Sequence, residues 1–177
     1  MQTALSLAVP VTGIAEAVFA RGLSSEADLR EEAAKQGFNG PDGNLNLTDD
    51  EKKAFIEDIR QALYASKIVA YAQGFNEITT AAEEYGWDID LAAVARIWRG
   101  GCIIRAKFLN RISEAFESGE ANVSLLFAPY FKNAIETAEK SWRNVVAQAA
   151  VNGLPTPAFA SSLSYFDGLR SKRLPAA

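Results

Sequence analysis

The cationic residue with the clearest potential for chemistry is Arg21. It follows the apolar residues 17–20 and stands near the end of a short predicted helix, where a guanidinium can project from an apolar surface. The planar guanidinium carries paired N–H donors that match a carboxylate or a phosphate. From the residues alone, however, attraction between this charge and the helix dipole explains Arg21 better than an anion site does.

The chain contains no histidine and a single cysteine, Cys102. Imidazole is the usual general base, zinc ligand and partner of a nucleophilic serine or cysteine, so the chain supplies none of these. Cys102 cannot form an internal disulfide and lies in an apolar run, which favours an inert buried thiol and a reducing cytoplasm. We therefore predict no catalytic residue and no metal site in this chain.

The remaining charged residues predict no further site. Adjacent acidic residues at 49–51 are placed to complement a helix dipole, whereas those at 57–58 and 83–84 are expected on solvated faces. The basic cluster at 170–173 stands at a predicted helix end, where it either complements the dipole or meets an anion or a partner. The net charge of −4 and the lack of a clustered basic face argue against a nucleic-acid partner.

No glycine-rich nucleotide-binding motif occurs in the sequence. Gly100 and Gly101 follow no predicted strand, so we interpret them as a break between two helices and not as a phosphate loop. The chain is therefore not expected to bind a dinucleotide by itself. It also lacks an apolar run of membrane-spanning length and a signal-peptide pattern at its N-terminus, so no membrane association is predicted.

Caps and glycine breaks predict an all-α fold. Thr48 and Glu51 form a capping-box pattern at the start of the longest predicted helix, over about 49–85, which contains no proline and one glycine, Gly74. The other helices are predicted over about 12–22, 24–37, 88–98, 103–116, 129–151 and 156–170. Sustained alternation of apolar and polar residues is missing, so little strand is expected. Length and apolar content predict one compact domain over 1–177.

Two apolar stripes run along the predicted long helix. The first recurs at steps of four and three, as in a coiled-coil seam, and comprises Tyr64, Ile68, Tyr71, Phe75, Ile78, Ala82 and Tyr85. The second lies in the first half of the helix and comprises Ile56, Ile59 and Leu63. Two apolar faces are typical of a central helix that other elements cover, so we expect burial on more than one side.

Several short sequence motifs are not explained by the periodicity of a helix or a strand. They are Tyr-Ala-Gln-Gly-Phe at 71–75, Gly-Gly-Cys-Ile-Ile-Arg at 100–105 and Leu-Phe-Ala-Pro-Tyr-Phe-Lys at 126–132, together with the segments 9–21, 55–67 and 164–167. In this order and spacing they resemble the helical C-terminal domain of decarboxylating 6-phosphogluconate dehydrogenases. The resemblance covers nearly the whole chain and is weakest over about 26–50.

The resemblance implies an enzyme family that oxidises 6-phosphogluconate with NADP, without a metal, to ribulose 5-phosphate and carbon dioxide. It implies that Arg21, the last residue of the Val-Phe-Ala-Arg motif, binds the substrate. The resemblance therefore favours substrate binding by Arg21 over an interaction with the helix dipole. In the family, the NADP-binding Rossmann domain and the catalytic base and acid precede the matched segment, and a tail follows it. We therefore expect this chain to supply one wall of the substrate pocket and a homodimer interface, to bind no cofactor alone and to be inactive alone.

Two alternatives stay open. A helical domain of this kind could serve only in assembly, without a catalytic role. It could also belong to a related beta-hydroxyacid dehydrogenase, although the helical domains of those enzymes are shorter and lack the motifs at 100–105 and 128–132.

Overall fold

The computed structural model describes residues 1–101, 106 and 108–175. Those residues form eight α helices and a short 3-10 turn at Leu125–Phe127, with no β strand among them. The helices are α1 (Gln2–Ser6), α2 (Thr12–Ser25), α3 (Ala27–Gln36), α4 (Asp49–Tyr85), α5 (Leu91–Gly101), α6 (Leu109–Glu117), α7 (Pro129–Val151) and α8 (Pro157–Leu169). The all-α prediction is confirmed, and so is the long helix over 49–85.

The chain separates into two compact units. The first unit comprises Met1–Val11 and Ile68–Thr137, and the second comprises Thr12–Lys67 and Ala138–Ala177. Helices α4 and α7 each contribute residues to both units. The single domain over 1–177 stays a prediction.

The start of α4 is held by reciprocal hydrogen bonds between Thr48 and Glu51. The backbone N–H of Thr48 donates to Glu51 Oε2 at 2.8 Å, and the backbone N–H of Glu51 donates to Thr48 Oγ1 at 3.4 Å. The side chains also bond directly, since Thr48 Oγ1 donates to Glu51 Oε2 at 2.7 Å. These bonds lower the pKa of Glu51 and satisfy N–H groups that the helix start leaves unpaired. The predicted capping box is confirmed.

Burial along α4 differs from the prediction. Within the seam, Ile68 and Phe75 are buried, but Tyr85 at the end of the helix is 50% exposed. The second stripe is exposed altogether, with Ile56 at 66% and Leu63 at 49%. The expectation that this half of the helix is covered on more than one side was wrong for the described chain, because an apolar stripe indicates a tendency to be covered without specifying what covers it.

Helix α7 carries a regular buried stripe that was not predicted from the sequence. Its members recur at steps of four and three, and they are Phe131, Ile135, Ala138, Trp142, Val145 and Ala149. In the second unit, Trp142 donates its indole N–H to the carbonyl oxygen of Phe159 on α8 at 3.2 Å. This bond lets a fully buried indole satisfy its polar atom.

The first unit is organised around an aromatic cluster. Phe75 lies 4.9 Å from Phe116 and 5.3 Å from Trp98, measured between ring centroids. Tyr71 meets Phe108 edge to face at 5.0 Å. This cluster holds α4 against α5 and α6 within the unit.

Several helix ends differ from the predicted ones. Helix α2 continues to Ser25, beyond the predicted end near 22, and Glu26 precedes α3 in place of a serine cap. The predicted helix from 103 was too long, since Ala106 is not helical and α6 begins at Leu109. The predicted helix start at 103, like the rest of 102–105, lies outside the described residues. Helix α5 continues beyond its predicted end near 98, because Gly100 and Gly101, predicted to break it, form its last two residues.

None of the described helices combines the length and the apolar character that a membrane span requires.

Candidate functional site

The candidate site is built around Arg21 on α2, in the second unit. Arg21 is exposed, as expected for a side chain that meets a ligand. Because α2 ends at Ser25, no basic residue occupies the last turn of the helix. The interaction with the helix dipole fades within the last turn, so the dipole explanation for Arg21 loses much of its basis.

Arg30 on α3 stands at the end of α2 instead. Its Nη2 donates to the carbonyl oxygen of Ser24 at 3.0 Å. This carbonyl belongs to the group that a helix end leaves without a partner, and a cation there also complements the dipole. The role that the sequence suggested for Arg21 is thus performed by a residue from the next helix.

The Arg21 guanidinium is held by a neutral residue one turn further along α2. Arg21 Nη1 donates to Ser25 Oγ at 2.6 Å. The same hydroxyl donates to the carbonyl oxygen of Arg21 at 2.9 Å. Among the described residues, no carboxylate forms an ion pair with Arg21, whereas Glu57 pairs with Arg60 and Asp167 with Arg143. The arrangement leaves the positive charge of Arg21 available to an external anion.

A groove of about 820 Å³ lies beside α2 within the second unit. It is mostly apolar, and its lining residues come from α2, α3, α7, α8 and the turn at 154–156: Glu16, Phe19, Ala20, Leu23, Ser24, Arg30, Val146, Ala150, Leu154, Pro155, Thr156, Pro157 and Ala160. Arg21 lies on the adjoining face of α2, outside this lining. The groove and the guanidinium are therefore separate features of one helix.

The other predicted polar groups form no site in the described chain. Within residues 1–101, 106 and 108–175, no cluster of three or more His, Cys, Asp or Glu side chains is placed to hold a metal ion. In the basic cluster at 170–173, Arg170 Nε donates to Asp167 at 2.9 Å, which is a structural contact. Cys102 lies outside the described residues.

Asp58 was expected on a solvated face, and that expectation was wrong. Its carboxylate is half-buried and accepts hydrogen bonds from two residues of α7 in the second unit: Ser141 Oγ at 2.6 Å and Asn144 Nδ2 at 2.7 Å. The bonds tie α4 to α7. Sequence alone gave no sign of them, because the residues that meet are more than 80 positions apart.

The fold and the site define a class: the described residues form an all-helical domain, and Arg21 makes no ion pair with a carboxylate among them. Residues 1–177 match the family model described as 6-phosphogluconate dehydrogenase, C-terminal domain. The chain therefore belongs to the 6-phosphogluconate dehydrogenase family.

Individual relatives agree with this assignment. The chain is 51% identical over 175 residues to a decarboxylating 6-phosphogluconate dehydrogenase from Schizosaccharomyces pombe, a match that covers 99% of this chain and 35% of the relative. The identity is 48% over 174 residues to the enzyme of that name from Homo sapiens, covering 98% of this chain and 35% of the relative. The chain thus spans about a third of the length of the curated relatives it matches.

A solved structure shares the fold. The 6-phosphogluconate dehydrogenase of Plasmodium falciparum superposes with a TM-score of 0.89 at 35% sequence identity, covering 99% of this chain and 37% of that one. That enzyme is known in an apo form, in complex with its cofactor NADP⁺ and in complex with its substrate 6-phosphogluconate.

Proposed function

We propose that this chain forms the helical, substrate-facing part of a decarboxylating 6-phosphogluconate dehydrogenase. Such an enzyme uses NADP to convert 6-phosphogluconate into ribulose 5-phosphate and carbon dioxide. The observation that carries the proposal is Arg21, an exposed guanidinium with no acidic partner among the described residues, in a chain matched along its whole length by this family's C-terminal domain.

In this proposal Arg21 binds an anionic group of 6-phosphogluconate. A guanidinium can donate two parallel N–H bonds to the oxygens of a phosphate or a carboxylate, which fixes orientation as well as charge. Arg60 is unsuited to this task, because both its Nε and its Nη2 already donate to Glu57, at 2.7 and 2.6 Å. One arginine on an open surface is expected to give the isolated chain millimolar affinity at best.

The residues of this chain do not fit NADP. The described part is helical and contains no strand followed by a glycine-rich turn, the arrangement that cradles a dinucleotide pyrophosphate. No histidine is available as a substitute base. We therefore expect the chain alone to form no NADPH from 6-phosphogluconate above background, as followed by absorbance. Steady turnover by the purified chain would contradict this part of the proposal.

We also propose that the chain forms a homodimer, in the cytoplasm. Two helix faces of the second unit expose apolar side chains of a size that interfaces cover: Val18, Phe19 and Leu23 on α2, and Ile56, Ile59 and Leu63 on α4. Light scattering at micromolar concentration is expected to give twice the mass of one chain. A monomer at every concentration would contradict an interface role.

Arg21→Ala and Arg60→Ala form a matched pair for testing the substrate contact. Both remove an exposed arginine from a helix of the second unit, but only the first removes one without an acidic partner in the described chain. Titration of 6-phosphogluconate into each variant, followed by NMR, is expected to give clearly weaker binding for Arg21→Ala and wild-type binding for Arg60→Ala. Equal chemical-shift changes on titration of the two variants would show that Arg21 contributes no more to binding than Arg60 does.

A further inference from the structure

We infer that Ser25 is a positioning residue for Arg21: its hydroxyl fixes the guanidinium in the orientation that receives the anionic group of the substrate. The inference rests on the proposed function, because it gives Ser25 a purpose only if Arg21 meets a ligand.

The hydrogen bonds that the Ser25 hydroxyl donates and accepts support this role. A serine hydroxyl has one proton to donate and two lone pairs that accept. The proton is used on the carbonyl oxygen of Arg21, at 2.9 Å, so the lone pairs are turned toward other donors. Arg21 Nη1 meets that oxygen at 2.6 Å. The two bonds close a ring over one helical turn, because they join the main-chain carbonyl of Arg21 to its own guanidinium through the Ser25 hydroxyl.

A neutral partner suits an arginine that must bind an anion. A carboxylate would also restrain the guanidinium, but it would offset the charge that the ligand needs, as Glu57 does at Arg60. Ser25 restrains the side chain and leaves its net charge intact. A restrained side chain also loses less rotamer freedom when the ligand binds, which improves affinity without a new contact to the ligand.

The neighbouring serine provides a matched control. Ser24 lies on the groove face of α2, and its backbone carbonyl, not its hydroxyl, accepts from Arg30. Ser24→Ala therefore alters the same helix end without touching the bond to Arg21. Ser25→Thr keeps a hydroxyl that can bond the preceding turn, so it serves as the conservative variant.

The first measurement needs no ligand. NMR of the arginine side chains reports how fast each guanidinium rotates, and a hydrogen-bonded Nη slows that rotation. In the wild-type chain, we expect slower rotation for Arg21 than for the exposed Arg173. Ser25→Ala should abolish the difference, while Ser25→Thr and Ser24→Ala should keep it. Rotation at Arg21 as fast as at Arg173 in the wild-type chain would overturn the inference.

The second measurement is a double-mutant cycle with 6-phosphogluconate as the probe. Ser25→Ala is expected to weaken binding by roughly 2- to 10-fold, the range associated with ordering one long side chain. In an Arg21→Ala background the same change should have no effect, and Ser25→Thr should restore wild-type affinity.

The outcomes separate the two claims. If Arg21→Ala weakens binding and Ser25→Ala does not, the proposed function stands and the positioning role of Ser25 is overturned. If Arg21→Ala has no effect, or if the wild-type chain does not bind the probe, the substrate contact itself fails and the inference fails with it. Equal weakening by Ser25→Ala in both backgrounds would mark Ser25 as a structural residue only.

Discussion

Asp167 on α8 accepts hydrogen bonds from both Nη atoms of Arg143 on α7, a fork that ties the two helices together within the second unit. The Nη1–Oδ2 distance is 2.9 Å, and Nη2 bonds Oδ1. Glu139 accepts from Arg143 Nε, and Arg170 Nε donates to Asp167, so four charged residues form one network. Asp167 is the last residue of the Ser-Tyr-Phe-Asp motif at 164–167, and these contacts give it a stabilising role.

The pKa of Asp167 lies below its ordinary value, first because Arg143 donates to its carboxylate and secondarily because Arg170 does. A carboxylate whose pKa is lowered by folding stabilises the fold above its unfolded pKa, near 3.9, and loses that contribution as pH falls through the lowered value. Asp167→Asn should therefore be less stable than the wild-type chain at pH 7. The difference should shrink as pH falls below about 4.

The magnitude is limited because solvent screens the pair. The side chains of Arg143 and Asp167 are 37% and 35% exposed, so about 1 kcal/mol is expected at pH 7, measured by urea unfolding. Asp88→Asn, at an exposed carboxylate between α4 and α5, is the control and should change little. A stability difference between Asp167→Asn and wild type that stays constant down to pH 2 would refute this account.

Substitution of two glycines by alanine is expected to change the free energy of unfolding in opposite directions. Gly74 lies inside α4, where a Cβ would meet no side chain or distant backbone of the described residues within 4 Å. Gly74→Ala should stabilise the fold by about 0.5–1 kcal/mol, because alanine loses less backbone entropy in a helix. Gly153 has a φ of 69°, and a Cβ there would lie 3.3 Å from Pro41 Cγ. Gly153→Ala should therefore destabilise by roughly 1–2 kcal/mol. Thermal unfolding of both variants would show two shifts of one sign if this reasoning is wrong.

Ser66 on α4 is buried, and its hydroxyl has no hydrogen-bond partner within the part of the chain that the structure describes. A buried hydroxyl without a partner costs free energy, so Ser66→Ala should leave stability unchanged or raise it by up to about 1 kcal/mol. Ser113 is the matched control, because it is equally buried but accepts from Arg96 at 3.1 Å and donates to the Ala92 carbonyl at 3.3 Å. Ser113→Ala should destabilise. Clear loss of stability in Ser66→Ala would indicate a partner for its hydroxyl.

Local chemistry predicted local structure well. The capping box at Thr48, the first-turn prolines Pro129 and Pro157, and the αL residue Gly37 fixed helix ends to within a residue or two, because each acts through neighbouring backbone atoms. Helix α2 was predicted too short because Gly22 resembled a helix end, although a glycine without a steric or turn requirement is tolerated within a helix.

Local sequence patterns did not predict which side chains are buried or which side chains contact each other. Ile56 and Ile68 look alike in the sequence, yet one is 66% exposed and the other fully buried, because packing against distant segments decides the outcome. Arg21 was identified by family resemblance, while Ser25 was overlooked. The spacing of four between them was a usable signal, since residues four apart meet on one helix face.

The central claim is that Arg21 contacts the substrate, and a crystal of this chain soaked with 6-phosphogluconate tests it most directly. We predict a phosphate or carboxylate oxygen within about 3.2 Å of an Arg21 guanidinium nitrogen. Ser25 should still accept from Nη1 in the complex. Electron density for 6-phosphogluconate elsewhere on the chain, with no contact to Arg21, would contradict the account.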